Sequence, residues 1–305
     1  MDGEEDGFAA HRDLMMGVAY RMLGRVTDAE DVVQEAWLRW SKVDAEAVAD
    51  PEAFLVKVTT RLAIDRLRRV RAARETYVGE WLPEPLRTVD DAADDVVRAE
   101  SVSLALLVVL ETLSPLERAV FVLREIFGFP YAEIAATLDR AEPAVRQLAS
   151  RARANVRARR PRFDVDPIVH RRVTDAFVGA CLNGTLDGLL ALLAPDVRLI
   201  ADGGGEALAP RRVVTGSEPV ARFLLRVLRL RPGFFDSVGV DATAPIGFRP
   251  ATVNGLPAIL LTAGERVVVC FQLEVTDGAI SACYLIVNPR KLTGVLSQDG
   301  WALRP

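Results

Sequence analysis

The chain has 305 residues, half of them hydrophobic, and a formal net charge of −4 from 38 Lys and Arg against 42 Asp and Glu. That length calls for two or three domains, and that apolar content excludes a disordered chain. Zinc is a poor expectation with His11 and His170 the only histidines. Cys181, Cys270 and Cys283 lack ligand spacing and read as buried thiols in a reducing compartment. The N-terminus, Met1-Asp2-Gly3-Glu4-Glu5-Asp6, is acidic, the opposite of a signal peptide's. No apolar run approaches the ~20 residues of a membrane span. A soluble cytoplasmic protein with no membrane partner is expected.

Residues 8–75 read as helices. Leu14, Val18 and Met22 have helical spacing, and Thr27-Asp28-Ala29-Glu30 reads as a capping box ahead of an apolar stripe through Val32, Val33, Ala36, Trp37 and Trp40. Asp50-Pro51 opens the next helix, with Phe54, Val58, Leu62 and Leu67 inward. Its polar side carries Lys57, Arg61, Arg66, Arg68, Arg69, Arg71 and Arg74 against Asp65 alone.

Residues 76–99 invert the charge, with Glu80, Glu84, Asp90, Asp91, Asp94 and Asp95 outnumbering Arg87 and Arg98. Trp81-Leu82-Pro83-Glu84-Pro85 cannot be helical throughout and marks a linker.

Residues 100–162 form a second helical domain, closed by Pro161. Ser114-Pro115-Leu116-Glu117 is a capping box with proline at the first helical position. Tyr131–Leu138, a three-residue turn and a helix from about Glu142 to Arg160 describe a helix-turn-helix. Arg140–Arg162 holds eight arginines against Glu142, a local reversal of sign suited to phosphates. Ala144, Val145, Leu148 and Ala152 are expected inward, and Glu142, Arg146, Gln147, Ser150, Arg151 and Arg153 outward.

In residues 163–305, 14 bases and 14 acids cancel. Helices around Val173–Leu182 and Leu186–Leu193 lead into Asp196–Ile200. Strands are expected at Ala258–Thr262, Arg266–Val275 and Ala279–Val287, the last two joined by a hairpin turn at Thr276-Asp277-Gly278. Helices first and strands later imply an α+β domain.

The order of these pieces is specific. The helix Asp28–Leu38, the basic helix ending Arg61–Arg69, the linker and the helix-turn-helix together resemble the extracytoplasmic-function sigma factors of bacterial RNA polymerase over residues 8–160. Leu186–Val197 looks like the opening of SnoaL-like domains, α+β cones with a central pocket. One sigma-factor group carries such a domain, with a Trp-Leu-Pro-Glu-Pro linker, an Asp-Gly-Gly-Gly-Lys loop and an Asn-Pro-Asp-Lys-Leu tail. Here these read Trp81–Pro85, Asp202-Gly203-Gly204-Gly205-Glu206 and Asn288-Pro289-Arg290-Lys291-Leu292. Glu206 and Arg290 depart from the pattern and both reverse charge, so their partners should have changed too if these loops meet.

The resemblance implies a multidomain chain: two all-α domains, the second a helix-turn-helix, and then a SnoaL-like cone. Asp31, Gln34, Glu35 and Arg39 would form the face that docks on the polymerase, with Trp37 either an apolar anchor or core. Thr59, Thr60, Arg61 and Asp65 would face the −10 element, Asp65 alternatively pairing with a neighbouring arginine. Arg146 and Gln147 would read −35 bases, Ser150 and Arg151 lying beside them, while Arg153, Arg157 and Arg159 hold phosphates. Trp81, Leu82, Asp202, Gly203, Asn288, Pro289 and Lys291 would make regulatory contacts. Core RNA polymerase and promoter DNA are the expected partners, no cofactor is expected, and a small-molecule ligand is what the cone's pocket would admit.

Two other classes compete: a ligand-responsive regulator that binds DNA without polymerase, and a pocket enzyme fused to a DNA-binding module. The Asp28–Leu38 helix opposes the first. Against the second, Asp196 and Asp202 are available for acid–base work, but no histidine follows His170. The triple glycine lacks the lysine and helix of a phosphate loop.

Overall fold

The computed structural model describes residues 7–44, 47–74, 76–88, 103–159, 167–227, 232–241, 243–293 and 295. The acidic N-terminus, the acidic linker residues from Asp90 to Glu100, and Pro161 lie outside them. The chain divides into two compact units, Met1–Glu75 with Leu106–Arg160, and Thr76–Ala105 with Pro161–Trp301.

In the first unit, α1 (Arg12–Leu23), α2 (Val26–Trp40) and α3 (Pro51–Arg74) pack around Met15, Tyr20, Val33, Ala36, Trp40, Leu55 and Leu67. Gly24, at φ 69°, ends α1, and α2 starts two residues later at Val26. The expected capping box at Thr27–Glu30 is therefore wrong. Thr27 lies inside the helix, and the N-cap residue is Arg25, with no side-chain capping bond. Asp28 instead turns inward and pairs with Arg66 of α3, Oδ1 to Nη2 2.6 Å. Asp50 caps α3 through the Ala53 amide at 2.9 Å. Phe54 and Val58, expected inward, are half-buried, with Leu55, Val56, Ala63 and Ile64 taking the core positions.

The second helical module contains α4 (Leu104–Leu110), α5 (Pro115–Phe121), a widened turn at Val122–Ile126, α6 (Tyr131–Leu138) and α7 (Glu142–Arg159). Ser114 and Glu117 form the expected reciprocal capping box. Asp139 closes α6 in the left-handed region (φ 55°), which Asp tolerates. The buried stripe of α7 is Val145, Ala149, Ala152 and Val156, spaced at i, i+4, i+7 and i+11. Ala144 was assigned inward and is exposed, and Leu148 is only half-buried. The stripe lies one position round the helix from that expectation.

The second unit is an α+β cone. Its elements are α8 (Pro167–Asn183), α9 (Leu186–Leu190), β1 (Leu193–Asp202), β2 (Val214–Thr215), α10 (Ser217–Val227), α11 (Pro232–Ser237), β3 (Ile246–Val253), β4 (Leu256–Ala263), β5 (Arg266–Thr276), β6 (Ala279–Ile286) and α12 (Pro289–Leu292). Among the described residues the strands form one sheet in the order β2-β1-β6-β5-β4-β3, with β1 and β6 parallel. Asp277 and Gly278, both at positive φ, make the expected β5–β6 hairpin. The β3–β4 hairpin was not anticipated, although its Asn254-Gly255 turn is a strong signal. The helix expected over Leu186–Leu193 stops at Leu190, and Leu193 begins β1. One sheet face packs on α8 and α10 through Val173, Phe177, Leu199, Val220, Phe271 and Leu285. Phe177 and Phe271 stack at 5.3 Å. No described helix is long and apolar enough to cross a membrane.

Candidate functional site

The linker, the triple-glycine loop and the tail converge on one carboxylate. Asp202 ends β1 fully buried, and four donors surround it. Its Oδ1 accepts from the Tyr77 hydroxyl at 2.5 Å and the Gly204 amide at 3.1 Å. Its Oδ2 accepts from the Leu82 amide at 2.8 Å and Lys291 Nζ at 2.6 Å. Lys291 also donates to the Leu82 carbonyl and lies 4.2 Å from the Trp81 ring centroid and 5.4 Å from that of Tyr77. A buried ammonium is tolerable only with such partners.

Asn288 fastens the tail to the same place. Its Nδ2 donates to the Tyr77 hydroxyl at 2.8 Å, its Oδ1 caps α12 through the Arg290 amide at 3.0 Å, and its own amide reaches the Asp202 carbonyl at 3.0 Å. Pro289 occupies the first turn of α12, where its missing N–H costs nothing. Gly203 is buried beside the Ala207 carbonyl. Gly204, at φ 63°, passes so close to Asn288 that a Cβ would sit 2.4 Å from Nδ2, so this approach requires glycine. Further along, Leu86 and Asn254 bond reciprocally: the Leu86 amide donates to Asn254 Oδ1 at 3.1 Å, and the Asn254 amide to the Leu86 carbonyl at 2.7 Å. Residues 77–88 thus lie along the cone as a strap, with Leu82 and Leu86 buried.

The two departures from the family pattern meet. Arg290 forms an ion pair with Glu206. The two positions at which the sequence departs from the resemblance are thus oppositely charged partners.

On the polar side of α2, Asp31, Gln34 and Glu35 are exposed. Asp31 bonds Arg66 at 3.1 Å and Glu35 bonds Arg39 at 2.7 Å. Trp37 is half-buried, its ring meeting Phe8 edge-on at 4.9 Å, whereas Trp40 is the core tryptophan. Phe8, Arg12, Met16, Glu30, Val33, Gln34 and Trp37 line a surface hollow of about 330 Å³.

The −10 candidates are largely engaged within the first unit. Thr59 and Thr60 are fully buried, and neither hydroxyl has a hydrogen-bond partner. Arg61 Nε donates to the Thr137 carbonyl, in the last turn of α6, at 2.9 Å. Arg71 donates to the carbonyls of Glu111 and Leu113, and buried Arg118 to that of Arg21 at 2.9 Å. Cations at carbonyls near helix C-termini are favourable. Asp65 pairs with Arg68 at 3.1 Å.

On α7, Arg146, Gln147, Ser150 and Arg151 are exposed and Arg153 is half-exposed. Arg146 pairs with Glu142, Arg151 with Glu117 at 3.2 Å, and Arg153 with Glu125 at 3.5 Å. The hydroxyl and amide of Ser114, with Arg151, hold the Glu117 carboxyl below its usual pKa. Tyr77, Asn254 and Tyr131 were not singled out from the sequence, and Arg66 stood there only as one of a run of bases. Only Asn254 carried a signal, its Asn-Gly turn.

Residues 8–73 match the family described as Sigma-70 region 2, and residues 103–156 match Sigma-70, region 4. The chain is 43% identical to the ECF RNA polymerase sigma factor SigJ of Mycobacterium tuberculosis over 95% of this chain and 94% of that one. It is 34% identical to the probable ECF RNA polymerase sigma factor SigI of the same species, over 95% of each chain. The crystal structure of Mycobacterium tuberculosis SigJ superposes with a TM-score of 0.73 at 40% identity, covering 94% of this chain and 97% of that one. The chain belongs to the extracytoplasmic-function RNA polymerase sigma factors, in the group that carries a SnoaL-like C-terminal domain.

Proposed function

We propose that this protein directs core RNA polymerase to specific promoters and helps initiate transcription in the cytoplasm. In this reading α2 docks on the polymerase through Asp31, Gln34, Glu35 and Trp37, α3 engages the −10 element, and α7 reads the −35 element. The observation that carries it is the exposed arginine face of α7 in a helix-turn-helix, joined in one chain to a region 2 helix set.

The SnoaL-like domain acts as a regulator and performs no chemistry. Asp202, the best-placed acid–base candidate, is committed to four donors, and aliphatic and aromatic side chains fill the sheet face beneath α8 and α10. Its hold on residues 77–88 limits how far the two helical modules can separate. Full promoter binding loosens their contact, because here α6 holds the Nε of Arg61, a side chain that the −10 element would engage.

Run-off transcription with purified core polymerase tests this. The wild-type chain should support promoter-dependent transcripts. The Asp31→Lys/Glu35→Lys double variant should lose core binding with unchanged circular dichroism, since like charges at an interface cost several kcal/mol. Undiminished binding of that variant would sink the docking assignment.

A further inference from the structure

The ring of Tyr131 carries two guanidinium groups. Arg146 Cζ lies 4.4 Å from its centroid and Arg124 Cζ 4.7 Å. Arg124 comes from the widened turn Val122–Ile126 and also donates to the Phe129 carbonyl at 3.0 Å, so its own position is set. Arg146 comes from the first turns of α7 and is bonded on another side by Glu142, Nε to Oε1 2.9 Å. The order Glu then Arg at i, i+4 is the favourable one. Yet Arg146 is 59% exposed. Its head is fixed at two points: Glu142 accepts from Nε and Nη2, and the remaining Nη donors stay open to an incoming acceptor.

A guanidinium reads guanine by a two-pronged bond whose geometry is strict. A long, exposed side chain ordinarily loses its freedom when it binds, and a preorganised one loses less. A cation over an aromatic face is held electrostatically without using its N–H groups. A carboxylate takes some of those donors, and the ring takes none. Tyr131 therefore suits a platform that orients Arg146 for base contact.

We infer that Tyr131, with Glu142, is a positioning residue for −35 specificity: its ring holds the Arg146 guanidinium in the orientation that reads a base. This rests on the assignment of α7 to the −35 element. It adds a determinant outside the recognition helix, on the first helix of the motif.

The test uses the full-length protein with core polymerase, transcribing a promoter library randomised over the −35 element and scored by sequencing the transcripts. Arg146→Ala identifies the base position that Arg146 reads. Tyr131→Leu should weaken the preference at that position roughly two- to fivefold, the worth of an exposed cation–π contact. Tyr131→Phe should retain it, because the ring face remains. Glu142→Gln should weaken the same position and covers the case in which Tyr131→Leu fails to fold. In the Arg146→Ala background Tyr131→Leu should change nothing further at that position. Base preference unchanged in Tyr131→Leu and Glu142→Gln, with Arg146→Ala still losing it, would overturn the inference and leave the −35 assignment standing. Base preference unchanged in Arg146→Ala would overturn both.

Discussion

Replacing Lys291 by Met isolates the buried ion pair that fastens the tail to the strap. Methionine keeps an unbranched apolar stem as far as the ε position, but the ammonium is gone. Asp202 then keeps the hydrogen bonds of Tyr77, Leu82 and Gly204 as a buried carboxylate without a countercharge. Breaking one side of a buried pair costs about 3–5 kcal/mol. At about 2–4 °C per kcal/mol for a unit of this size, the cone should melt on the order of 10 °C lower. The double variant Lys291→Met/Asp202→Asn should recover much of that loss, because no unpaired charge stays buried. Chymotrypsin reports the strap directly, since Tyr77 and Trp81 lie on it. Cleavage there should rise in the single variant and fall back in the double one. The reasoning fails if Lys291→Met melts within about 2 °C of the parent, less than the shift from 1 kcal/mol, and its strap is cut no faster.

The inverted pair should behave as an exposed one. Glu206→Lys alone should cost at most about 1 kcal/mol, and Glu206→Lys/Arg290→Asp should restore the parent's stability in a double-variant denaturation cycle. His170 should make the cone acid-sensitive. Burial holds its pKa below the usual value against the opposing hydrogen bond to the Leu273 carbonyl, 3.1 Å from Nε2. The unfolded chain takes up the proton first, near pH 6.5, so stability is complete above that pH and is lost as pH falls toward the folded pKa. Thermal melts from pH 5 to 8 should show that slope in the parent and a flatter one in His170→Gln; equal slopes would refute the assignment.

Local chemistry alone determined a good part of this molecule. The Ser114–Glu117 box, the Pro51 and Pro115 helix starts and the Asp277-Gly278 hairpin rest on neighbours within four residues, so the amino-acid sequence states them outright. The two helical domains and the α+β tail were legible for the same reason, since periodicity and composition are properties of short windows. Trp81–Pro85 was legible as a linker from its prolines, but the glycine loop and the tail could be named only by resemblance.

What joins those motifs was decided by tertiary structure. Tyr77 and Asn288 are separated by 211 positions and Lys291 and Leu82 by 209, distances over which no local pattern carries information. Asp28 looked like part of a helix cap because its neighbours allow one. It became a buried partner of Arg66 because Gly24 ended the preceding helix early and α3 brought a guanidinium to it. Thr60 was a −10 candidate only through the resemblance, and packing of the first unit buries it. Glu206 and Arg290 read in the sequence as two charge reversals whose partners should have changed if their loops meet, and the fold makes each the partner of the other. A side chain's type limits the partners it can accept, but only the folded chain determines which one comes within reach.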